Sequence, residues 1–66
     1  MEDKEILRLL VTGLNSLGLP RETIHGVVSI LETPDNESRM VDWLINLGRE
    51  PTEEEVLRMA EFIRKY

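Results

Sequence analysis

The chain has 66 residues, 41% hydrophobic and 32% charged, with no cysteine and thirteen acids against eight bases for a formal charge of −5. Residues 1–66 suit a single small helical domain with a packed core, and the composition is not that of a disordered tail. Without thiols there is neither a disulfide staple nor a thiolate metal cage, and no apolar run exceeds three residues, far short of the ~20 that a membrane-spanning helix needs.

Prolines at 20, 34 and 51 and glycines at 18 and 48 divide the sequence into four stretches of helical periodicity. The first predicted helix covers 3–17, with Asp3 as N-cap, Ile6, Leu10, Leu14 and Leu17 on one line and Gly18 as the stop. The second covers 20–32: Pro20 takes the first helical position, Glu22 the third, and Ile24, Val27, Val28 and Leu31 form its buried line. Gly26 is its weak point, at a cost of about 1 kcal/mol relative to alanine. The third, 34–47, opens with Thr33 as cap and Pro34 in the first position, and runs through Met40, Val41, Leu44 and Leu47 to Gly48. The fourth, 53–65, follows Thr52-Glu53-Glu54-Glu55, the spacing of a capping box, and buries Val56, Ala60 and Ile63. Strict alternation and Asn-Gly or Asp-Gly turns are missing, so no sheet is expected. Connections of a few residues turn each helix back beside its predecessor, giving an all-α, compact bundle of four short helices.

At 100° per residue, Ile6, Leu7, Leu9, Leu10, Val11, Leu14 and Leu17 cover about 200° of the first helix, twice the stripe of an ordinary surface helix. That width predicts a nearly central helix. Met40, Val41, Trp43, Leu44, Ile45 and Leu47 cover a similar arc of the third, leaving Ser38, Arg39, Asp42 and Asn46 to solvent. A chain of this size buries only about 60% of its unfolded surface, so parts of these arcs are expected to meet another molecule. Trp43 lies at one edge of its arc with Arg39 a turn earlier, and Met59, Phe62 and Tyr66 cluster on the fourth helix. Trp, Tyr and Arg are the residues most enriched at binding hot spots. Arg39, Trp43, Met59, Phe62 and Tyr66 are therefore the predicted protein-binding surface, with a homodimer as the expected assembly.

Chemistry finds little purchase. His25 is the only histidine, which excludes Cys/His dyads and multi-imidazole zinc sites. Ser29 lies four residues from it on the same predicted helix, and no nucleophile elbow surrounds Ser16, Ser29 or Ser38. Glu53, Glu54 and Glu55 point about 100° apart and cannot converge on one proton or metal. Asp35 and Glu37 lack the remaining ligands of a calcium loop, the glycines at 13, 18, 26 and 48 make no phosphate loop, and Asn36-Glu37-Ser38 reads as a chance sequon. No catalytic residue, cofactor or metal is expected.

A helix-turn-helix fails on register, because a small residue at Gly26 calls for a turn near Ile30, whereas the break comes at Thr33-Pro34. The helix after that break carries one base, Arg39, against three acids, a poor visitor to a phosphate-lined groove. The alternative reading is a DNA-associated regulator using Arg58, Arg64 and Lys65 at the end of the fourth helix. Nine of the thirteen acids, Glu2, Asp3, Glu5, Glu22, Asp35, Glu37, Glu53, Glu54 and Glu55, fall at predicted helix starts. There they complement unpaired amides and the helix dipole, so the net charge identifies no partner. With no basic-then-apolar leader at its start, the chain is expected to be cytoplasmic, and the favoured reading is a protein-interaction or regulatory module without chemistry.

Overall fold

Helix boundaries in the computed structural model, which describes residues 2–66, fall within a residue of the sequence punctuation. Helix α1 spans Asp3–Ser16, α2 Arg21–Leu31, α3 Pro34–Asn46 and α4 Glu53–Lys65. No strand occurs among the described residues.

The helix ends explain these limits. Thr52 Oγ1 accepts from the Glu55 N–H at 3.1 Å while the Glu55 carboxylate accepts from the Thr52 N–H at 3.0 Å, completing the capping box. Thr33 Oγ1 accepts from the Asn36 N–H, with Pro34 in the first turn as expected. Gly18 and Gly48 both carry φ of +76°, the left-handed conformation that ends a helix at no steric cost only in glycine. Two expected caps move. Glu2, and not Asp3, is the N-cap of α1, because its carbonyl already accepts from the Glu5 and Ile6 amides. Asp3 sits inside the first turn, where its charge meets the positive end of the helix dipole. Pro20 is extended, at ψ 149°, and its carbonyl accepts from the Ile24 N–H. It is therefore the N-cap of α2, and Glu22 stands second in the helix.

Between α2 and α3 the chain turns in almost no space. Glu32 adopts φ 66°, ψ −45°, and the Thr33 N–H donates to the Leu31 carbonyl at 2.8 Å. This is a γ-turn of the rare, strained sign. Asn36 Nδ2 donates to the same carbonyl at 2.7 Å, which ties α3 to the end of α2 and occupies the amide of the sequon.

One continuous core holds the four helices: Leu10 and Leu14 from α1, Ile24, Val27 and Leu31 from α2, Met40 from α3, and Val56, Ala60 and Ile63 from α4. The pairing is not the one expected from short connections. Alternate helices pack most closely, α1 on α3 and α2 on α4, while consecutive helices touch less. The extended Leu19-Pro20 segment carries the chain off α1 before α2 begins, and the turn at Glu32 sends α3 back over α1. Nor is α1 central: only Leu10 and Leu14 are buried in it, and Leu7 and Leu9 face solvent. Its wide apolar arc meets α3 on one side and is left open on the other.

Two glycines should respond oppositely to alanine. Gly26 is mid-helix with open space where a Cβ would stand, so Gly26→Ala is expected to stabilise the fold by about 0.5–1 kcal/mol. Gly48→Ala should destabilise it by about 1 kcal/mol, because alanine resists positive φ. Urea midpoints of the two variants check both signs.

Candidate interaction site

Helix α3 carries the site because it has a neighbour on each side. The Trp43/Leu47 edge of its arc leans toward α4 and the Val41/Ile45 edge toward α1. Neither neighbour reaches far enough to cover it.

On the α4 side, Trp43 and Leu47 form one wall of an open groove of about 380 Å³, with Met59 and Phe62 forming the other. Tyr66 continues the second wall, its ring centroid 5.0 Å from that of Phe62 at a tilt of 42°. This is the favourable offset geometry of an aromatic pair. Trp43 and Met59 are half-buried, whereas Phe62 is 56% exposed and Tyr66 71%. The Lys65 ammonium stands 5.7 Å from the Tyr66 ring.

Four of the five residues singled out in the sequence thus lie together, and Arg39 does not join them. It lines a separate polar depression at the start of α3 with Thr33, Asp35, Asn36 and Ser38. The 100° step puts Arg39 about 40° beyond Trp43, away from the buried line, so one turn of helix is not enough to bring it to the groove.

The groove's polar rim came from a residue the periodicity passed over. Arg49, in the α3–α4 connection, forks onto Glu55, with Nη1 to Oε1 at 2.9 Å and Nη2 to Oε2. Arg49 lies in no helical pattern, and only the spacing to the capping-box glutamate could have signalled it. Its guanidinium, assisted by the Thr52 N–H, holds the Glu55 carboxyl down at about 2. Each of the three adjacent glutamates has its own partner: Glu53 accepts from the Thr23 hydroxyl, Glu54 pairs with Arg58, and Glu55 takes Arg49. They do not converge, and no group of three or more metal-ligating side chains is found among the described residues.

On the α1 side, the structure opens a second apolar strip along the other edge of the α3 arc. Ile45 is 73% exposed and Leu9 48%, flanking a hollow that also takes in Ile6 and Val41. Ile45 sits at the far edge of the α3 arc, where α1 would have to be wider to cover it.

Of the bases proposed to touch DNA, Arg58 faces Glu54 and Arg64 lies 3.6 Å from Glu32. Two of the three cations at this end therefore face carboxylates. His25 is exposed on α2. Glu37 is buried, only 7% exposed, and desolvation, reinforced by the nearby Asp3 carboxylate, pushes its carboxyl above the usual range. No helix is long and apolar enough to cross a membrane among the described residues.

The Arg49 clamp makes a pH prediction. The folded-state value of Glu55, about 2, lies below its ordinary 4.5, so its contribution is fully present above about 4.5 and lost as pH falls toward 2. Arg49→Ala should melt lower than wild type at neutral pH, and that gap should narrow through this acid window. Thermal melts of both proteins across the range measure it.

No protein-family model, curated protein or solved structure matches this chain.

Proposed function

We propose that the chain is a protein–protein interaction module that pairs with a second copy of itself through the α3/α4 groove and works by binding and not by catalysis. One observation carries the reading: a stacked Phe62/Tyr66 pair stands exposed beside half-buried Trp43 and Met59. Aromatic anchors around a groove, ringed by charge, are the anatomy of a binding hot spot.

The exposed rings favour an occupant, Phe62 being 56% and Tyr66 71% accessible. Leaving two aromatic rings wet is costly at ~25 cal/mol per Å² of apolar surface, and self-association removes that cost without requiring a second gene product.

Sedimentation equilibrium from micromolar to millimolar concentration tests the reading. The expected outcome is a monomer–dimer equilibrium that Phe62→Glu weakens by about 2 kcal/mol or more, the scale of a hot-spot residue. Ile45→Glu, on the opposite edge of α3, should leave it unchanged. A monomeric mass throughout would overturn self-association.

A further inference from the structure

The charge layout of α4 dictates how a second copy sits. Resting on the self-association reading, we infer that the two subunits pair across a two-fold axis with their α4 helices antiparallel, the acidic first turn of each beside the basic last turn of the other.

The first turn of α4 carries Glu53, Glu54 and Glu55, and its last turn carries Arg64 and Lys65. The aromatic pair and Met59 lie between these ends or beside the basic one, on the exposed ridge. Glu54 and Lys65 share that ridge's flank and stand eleven residues apart, about 16 Å along the axis. Their midpoint falls between Met59 and Ala60, with Phe62 one turn from Met59 on the outward side. An antiparallel copy centred there places Glu54 opposite Lys65 of the partner subunit at both ends, and sets the apolar side chains against one another near the axis. A parallel copy sets acidic first turn beside acidic first turn and basic last turn beside basic last turn, repelling at both ends. The antiparallel helix dipoles also oppose, which favours the same arrangement.

The present partners of these groups do not compete strongly. The Arg58–Glu54 pair is largely exposed, with side chains 78% and 71% accessible, and such pairs hold little energy. An interface of ordinary size takes about 800 Å² from each partner, roughly a sixth of the 4699 Å² surface.

Charge reversal reads out the orientation. In the antiparallel dimer, Glu54→Lys or Lys65→Glu alone places like charges together at both ends, and each should raise the dimer dissociation constant about tenfold at low salt. The double variant, Glu54→Lys with Lys65→Glu, should recover wild-type affinity. An equimolar mixture of the two single variants should also recover it, since their heterodimer restores opposite charges at both ends. Circular dichroism confirms that each variant keeps its helices, and the recovery in the double variant and the mixture excludes a folding defect as the cause. If wild type dimerises but the single variants match it, the antiparallel arrangement is wrong while self-association stands. If wild type does not dimerise at all, the underlying reading fails first.

Discussion

A helix touched on two sides needs two covers, and α3 receives only partial ones. Met40 is fully buried within its arc, and from that anchor one edge leans on α1 and the other on α4. Each neighbour is a helix of 13 or 14 residues, about 20 Å long, and it also has to pack against α2. Both the Trp43/Phe62 groove and the Ile45/Leu9 strip arise from this one shortage: a small chain has too little surface-covering material for an apolar arc of about 200°. The larger rings stand on the α4 side, which is why the functional reading rests there.

Helix-end chemistry turns that bundle into a defined surface. Most of the acids stand at helix starts, where the positive end of the helix dipole favours them. Glu55 does more than cap. By accepting from both Thr52 and Arg49 it fastens the α3–α4 connection to the first turn of α4, at the edge of the groove that Trp43 and Met59 line. Among the described residues, the loop is held by a bidentate charge-assisted contact, whose paired geometry makes it more directional than an ordinary surface pair.

Four helices, the capping box and the two glycine stops were legible because each rests on local chemistry within a few residues. Pairing was not. Periodicity defines which face of a helix is apolar but not which neighbour covers it, so the α1/α3 and α2/α4 partnership and the wet positions of Leu9 and Ile45 lay beyond it. The strained turn at Glu32 carries no glycine to announce it. Glu37 looks like an ordinary helix-start acid, and nothing in its spacing announces its burial or the influence of Asp3 from α1 on its carboxyl. For the candidate site, the aromatic cluster followed from edge positions on two helices. Arg39 falls outside it because nearness along one helix is not nearness to a groove formed between two.

Trp43 is the chain's only tryptophan and lines the groove, so its fluorescence reports on the central claim that this face is covered by a second copy. On dilution from millimolar to nanomolar concentration, emission should shift to longer wavelength and quenching by iodide should rise, with Phe62→Glu making the same change at concentrations about thirtyfold higher or more. Emission and quenching that stay constant over the whole range, and are the same in wild type and variant, would contradict it.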